Sequence, residues 1–245
     1  MIDLDRIRSA RVETNPYQWA AIDALYSPAD ARALARSFPT DRFKRLWEYG
    51  GKKDYEFHAR ELIGMGAASV SHPDTLSPQW QALASDLNSP TYREAMSTLT
   101  GLDLSAAPLE VNVFHYPPGS VHGPHPDLRD KLVTHVLYFN ETWSDDDGGC
   151  LAILKSSDAA DIHRTVSPRV GNSAVLVRSS DSWHAVTPVA AQSRVSRRSV
   201  TAVFYQPGSV STMWPPGDAT PLHEYPDSGI GARFRSALLS LFGRG

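Results

Sequence analysis

Apolar side chains fall at helical spacing through the first hundred residues and in short β-rich runs through the next hundred. Ser27-Pro28-Ala29-Asp30 opens the clearest helix, with a serine cap and proline at the first helical position. Ala31, Leu34, Ala35 and Phe38 follow at the three-to-four spacing of one helical face. Ser77-Pro78 and Ser89-Pro90 repeat the start signal. Leu83 and Leu87 follow the first at helical spacing, Ala95 and Leu99 the second. Segment 44–66 is rich in charge and glycine, as in Gly50-Gly51-Lys52-Lys53-Asp54. It reads as a strand or loop pair bordering whatever site exists.

From about 108 to 206 the texture changes. Stretches 109–116, 132–140, 149–154, 173–177 and 199–205 are β-rich, with Pro, Gly, Asp and Ser clusters between them. Short strands punctuated by turn signals predict a sandwich or barrel. Helices first and strands afterwards predict helices packed on one side of a β core. After 206 the chain is rich in Pro, Gly and Ser, and it ends in a basic amphipathic segment, 230–242. The expected organisation is a single domain over 1–245. Helices and rim segments fill 1–104, the β core 105–210, and a C-terminal extension 211–245.

Composition narrows the class. The 245 residues are 41% hydrophobic and 21% charged, ordinary for a globular protein. A net charge of −3 gives no general nucleic-acid footprint. The single cysteine, Cys150, excludes an internal disulfide and a thiolate zinc cluster. No apolar run approaches the roughly 20 residues needed to span a bilayer. Met1-Ile2-Asp3-Leu4-Asp5-Arg6 lacks the pattern of a secretion signal. A cytoplasmic protein without membrane or nucleic-acid partners is expected, with its oligomeric state open.

Candidate chemistry centres on the nine histidines. His125-Pro126-Asp127 follows a predicted strand and a Pro-Pro-Gly turn. A His and a carboxylate two apart turn to one side of an extended backbone and can chelate one metal. His184, inside Ser182-Trp183-His184-Ala185-Val186-Thr187-Pro188, is the candidate third ligand. Two imidazoles and a carboxylate with positions left open suit Fe(II). Either motif alone is more often a turn or a surface pair than a ligand. Asp145-Asp146-Asp147 reads as a solvated loop.

The pieces around these residues come in a recognisable order. Val111-Asn112-Val113-Phe114-His115-Tyr116-Pro117-Pro118-Gly119 precedes the His-Pro-Asp, and Val133 to Asn140 with Trp143 follows it. Then come Asp147-Gly148-Gly149-Cys150-Leu151, Gly171 to Val177, His184-Ala185-Val186-Thr187-Pro188-Val189 and Arg197-Arg198-Ser199-Val200-Thr201. In this order the chain resembles the Fe(II)- and 2-oxoglutarate-dependent dioxygenases, prolyl 4-hydroxylase-like branch, over about 109–206. The resemblance implies an α+β, mainly β fold. Its core is a double-stranded β-helix (jelly roll, cupin-like) with N-terminal buttressing helices.

It also implies a site. His125, Asp127 and His184 would hold iron. Arg197 and Tyr138 would pin the distal carboxylate of 2-oxoglutarate, with Tyr116 and Thr201 also at the co-substrate. Only one of Arg197 and Arg198 can face a barrel interior. The family pattern picks Arg197, with Arg198 the alternative for a one-residue slip and Arg194 an outside candidate. O2 would be the oxidant and ascorbate a candidate stimulant. The implied reaction hydroxylates an unactivated C–H and releases succinate and CO2. A small or carrier-bound, amino-acid-like substrate is favoured, with Asn112, Arg129 and Trp183 as contacts. Arg178 and Lys53 are further candidates. The alternatives are a prolyl hydroxylase acting on a peptide or protein, and an inactive module that binds metal or 2-oxoglutarate. His115 and His135 alternate away from Tyr116 and Tyr138 and are expected to face elsewhere.

Overall fold

The computed structural model describes residues 1–50, 54–222 and 224. The terminal 230–242 segment and Lys53 lie outside the described residues. Three helices begin where Ser-Pro predicts: α2 (Pro28–Arg36), α3 (Pro78–Leu87) and α4 (Pro90–Thr100). Ser27, Ser77 and Ser89 each accept a backbone N–H of the first turn through the side chain, satisfying a donor the helix itself leaves open. A short α1 (Leu4–Arg8) packs beside α4.

The strands form one antiparallel, eleven-stranded sheet. Its larger half runs β1 (Trp19–Ile22), β9 (Ser173–Val177), β6 (Lys131–Tyr138), β11 (Arg197–Tyr205), β4 (Leu109–Tyr116), β3 (Tyr55–Ile63), β2 (Lys44–Glu48). Its smaller half runs β5 (His122–His125), β10 (His184–Val186), β7 (Leu151–Leu154), β8 (Ile162–Val166). The halves join at a single pair, Tyr55 with His122. At the far ends the Trp19 ring of β1 meets His163 of β8, with centroids 6.1 Å apart. The sheet thus rolls into a nearly closed barrel, the double-stranded β-helix. It draws β1, β2 and β3 from the N-terminal hundred residues, so it is wider than the 105–210 stretch. The 44–66 segment is the β2–β3 hairpin, with β3 paired to β4.

Alternation divides the two faces. Val111, Val113, Val133, Leu137, Val175, Val200, Ala202 and Phe204 pack outward against Leu34, Trp80, Leu83, Tyr92 and Met96 of the helices. This face is the main core. The opposite face lines the barrel. Thr201, mid-way along β11 and paired on both sides, is nevertheless only half-buried. A central-strand residue facing inward stays wet only if the interior is hollow at that level. Among the described residues, no helix is long and apolar enough to cross a membrane.

Candidate metal centre

β5 and β10 pair so that His125 and His184 lie directly opposite. Their rings are 4.5 Å apart between centroids. The chain then turns at Pro126 and brings Asp127, 7% exposed, to the same place. One ligand atom from each of His125, Asp127 and His184 falls within 4.8 Å of the other two. The backbone sets the histidine tautomers. His125 Nδ1 lies 2.8 Å from the Gly123 carbonyl, and His184 Nδ1 lies 2.9 Å from the Ser182 carbonyl. A carbonyl only accepts, so each Nδ1 carries the proton and each Nε2 carries the lone pair. This outer hydrogen bond to a ligand imidazole is what a metal site requires.

Asp127 is held on both oxygens. Lys131 Nζ donates to Oδ1 at 2.6 Å and Thr134 Oγ1 to Oδ2 at 2.7 Å. Burial pushes the carboxyl up, but Lys131, His184 and His125 outweigh it and keep it far below the usual carboxylate range. Asp127 is therefore ionised at any neutral pH.

A second polar cluster lies further along the same interior. Arg197, 2% exposed, faces inward, and its Nε donates to the Gly149 carbonyl at 2.7 Å and its Nη1 to Ser199 Oγ at 2.9 Å. The guanidinium lies 4.7 Å from the Tyr116 ring and 5.2 Å from the Tyr138 ring. Tyr138 is fully buried, and the polar group beside its hydroxyl is the Arg197 guanidinium. Arg198, one step on, points the other way, over Phe38 and toward the Ala35 carbonyl.

Residues 111–205 match the sequence model of the 2OG-Fe(II) oxygenase superfamily. Over this β core the chain is similar to that superfamily. Members of the superfamily use iron(II), 2-oxoglutarate and O2, and the core here offers a His-Asp-His set within reach of one metal ion. Among solved structures, a prolyl-4-hydroxylase from Pseudomonas putida is 23% identical, with a TM-score of 0.54 over 84% of this chain and 97% of that one. A prolyl hydroxylase from Trichoplax adhaerens, in complex with a hypoxia inducible factor oxygen degradation domain peptide fragment, is 16% identical. Its TM-score is 0.52 over 83% of this chain and 89% of that one. SnoN, a non-heme alpha ketoglutarate dependent epimerase from nogalamycin biosynthesis, is 15% identical, with a TM-score of 0.52 over 91% and 94%. At these identities the likeness is one of fold. No curated protein matches the oxygenase by sequence.

The residues anticipated as substrate contacts scatter. Asn112 faces the interior, but its Oδ1 accepts Trp214 Nε1–H at 2.6 Å. Trp214 belongs to the segment after β11. That segment is also tied down by Ser211 Oγ to Glu110, and by Lys44 Nζ to the Met213 carbonyl and Asp218. Trp183, just before β10, packs with Ala152, Leu154 and Ala185. Arg129 is exposed, two residues after Asp127. Asp145–Asp147 forms a 3-10 turn capped by Ser144, away from the triad. His115 and His135 are both buried on the helix side, where burial pushes both pKa values down.

Sequence reasoning missed Thr134 and Lys131 as holders of Asp127. Thr134 shares its parity with Tyr138, a usable signal. Lys131 does not: the register shift opposite Phe204 and Tyr205 breaks the alternation at the start of β6. Tyr17, from the loop before β1, also lines this interior, and no motif marks it.

Proposed function

We propose that this oxygenase hydroxylates an unactivated C–H of a small or carrier-bound, amino-acid-like substrate. His125 Nε2, Asp127 and His184 Nε2 hold iron(II), and Arg197 with Tyr138 holds the distal carboxylate of 2-oxoglutarate. Tyr116 and Thr201 border that co-substrate. One observation carries the reading. A buried guanidinium and the buried Tyr138 hydroxyl beside it face the same barrel interior as a metal-competent His-Asp-His set. Both are donors, and a bound carboxylate would accept from both. The donor set suits iron(II), which with 2-oxoglutarate and O2 supplies the oxidising power, yielding succinate, CO2 and hydroxylated product.

The chain's own residues have defined tasks. Gly123 and Ser182 carbonyls orient the imidazoles, and Thr134 and Lys131 orient the carboxylate. Arg197 offers a planar fork to a carboxylate, and Gly149 and Ser199 fix its aim. Met213 and Trp214 pack beside Phe57, Phe114 and Tyr116 over the interior. This covering supports a small substrate over a long extended chain.

The test is anaerobic addition of Fe(II) and 2-oxoglutarate, reading the weak visible charge-transfer band. The wild type should develop the band. His125→Ala and Asp127→Ala should lose it, and Arg197→Ala should need at least about tenfold more 2-oxoglutarate, the loss of a charged hydrogen bond. A folded wild type that takes up metal and shows no band would leave only a metal-binding module.

A further inference from the structure

We propose that Tyr17 and Arg178 form a second anion subsite, which receives the free carboxylate of a small substrate on the side of the metal centre away from Arg197. The inference rests on the reading of the site given above and names its substrate class.

Strand register brings the two residues together. Trp19 pairs with Leu176 across β1 and β9, and the Val177 N–H donates to the Gln18 carbonyl at 3.0 Å. One step further along this ladder, Tyr17 stands across from Arg178. Trp19 and Leu176 both face the barrel interior, and Tyr17 packs in the same interior cluster. Period two puts Arg178 on that face as well.

Both groups are left with unused donors. Tyr17 is 6% exposed, and its buried hydroxyl has no hydrogen-bond partner among the described residues. Burial, and then the charge of Asp127, raise its pKa, so it remains a donor at neutral pH. Arg178 is half-buried, and among the described residues its side chain makes one hydrogen bond, a long one, from Nε to the Asp127 carbonyl at 3.4 Å. Among the described residues it has no carboxylate partner. A half-buried guanidinium at the Asp127 carbonyl and a buried phenol across from it on the same ladder make an unfilled cradle.

Position separates this cradle from the co-substrate end. The Arg178 N–H donates to the Leu132 carbonyl, at the start of β6. Tyr138 closes the same strand, about 20 Å further on at 3.3–3.4 Å per residue. Thr134, which holds Asp127, lies between them. The metal centre is thus flanked by a cation at each end, Arg197 for the co-substrate and Arg178 for something else.

Charge selects the ligand. One guanidinium and one phenol match one carboxylate, with a single charge and two acceptor oxygens. A phosphate dianion would call for a second cation, and the nearby Lys131 is committed to Asp127. Tyr17 lies outside residues 111–205 that match the superfamily. Discrimination between substrates is expected in such added parts.

The test is calorimetry on the protein loaded with Mn(II) and 2-oxoglutarate under air. The probes are the common amino acids as free acids and as α-amides. At least one free acid should bind, with its α-amide about tenfold weaker or worse, the worth of a charged hydrogen bond. For that acid, Arg178→Gln should lose about tenfold or more and Tyr17→Phe severalfold. Both should keep Mn(II) and 2-oxoglutarate affinity within about twofold, and Arg178→Lys should recover part of the loss. The proposal is overturned if no free acid binds, if acid and amide bind alike, or if Arg178→Gln weakens 2-oxoglutarate instead. The acid–amide comparison uses the wild type, so it stands even if a variant fails to fold. Failure to load 2-oxoglutarate at all would bring down the underlying reading too, whereas normal loading without acid preference brings down the subsite alone.

Discussion

His135 sits on the helix side of β6, fully buried, with Nδ1 2.9 Å from Tyr92 Oη. Burial pushes its pKa from 6.5 down to about 3. Between those values the unfolded chain binds a proton that the folded one refuses. The contribution is therefore complete above pH 6.5 and is lost as pH falls toward 3. While it titrates, it costs up to about 1.4 kcal/mol per pH unit. His115, lodged between Phe38 and Phe43, is shifted in the same direction by burial. Urea unfolding of wild type and His135→Gln at pH 7.5, 6 and 5 isolates the effect. The variant should start less stable, because packing is disturbed, but should lose less stability per pH unit. Parallel slopes would mean that His135 does not resist protonation. On the other face, the same residue type serves a different end: His125 and His184 have their protons placed by carbonyls and present Nε2 inward.

At the scale of an element, the turn between Trp143 and β7 shows how backbone shape reaches the site. Gly148 has φ +64°, and a Cβ there would fall 2.1 Å from the Pro188 carbonyl oxygen. Only glycine permits both the left-handed turn and that approach. Gly149 follows, and its carbonyl anchors Arg197 Nε. Gly148→Ala must therefore move the turn, and the guanidinium with it. The expected result is a 2-oxoglutarate requirement raised about tenfold or more, with Fe(II) binding little changed, read by titrating the anaerobic band. An unchanged requirement would detach the turn from Arg197. This turn was legible in the sequence because Gly-Gly followed an acidic run, as the helix starts were legible from three Ser-Pro pairs. β1, β5, β8 and β10 were not. They are three to five residues long, and pairing across the barrel rather than local propensity makes them strands. The inward choice of Arg197 over Arg198 also lay beyond periodicity, which says that the two differ but not which faces in.

For the whole molecule, the two faces of one sheet divide stability from chemistry. The helix side is a close-packed core in which Trp80, fully buried, meets Phe38 and Phe139 and donates Nε1–H to the Leu34 carbonyl. The barrel side keeps a hollow lined by polar groups that fold-stabilising packing would not select, Tyr138 among them. Trp80→Ala should therefore cost about 3–5 kcal/mol. Tyr138→Phe removes a hydroxyl whose polar neighbour is the donor Arg197, so it should change stability of the unliganded protein by no more than about 1 kcal/mol. The order should reverse when ligand binding is read. With metal present, 2-oxoglutarate at a hundred times its dissociation constant should stabilise the wild type by about 2.7 kcal/mol. Chelation of the metal should abolish that gain. Tyr138→Phe should show a smaller gain at the same 2-oxoglutarate concentration, because its affinity is lower. Trp80→Ala, if folded at low temperature, should keep nearly the full increment. A Tyr138→Phe protein that is strongly destabilised without ligand yet gains as much from 2-oxoglutarate as wild type would place that hydroxyl in the fold's support, not its chemistry.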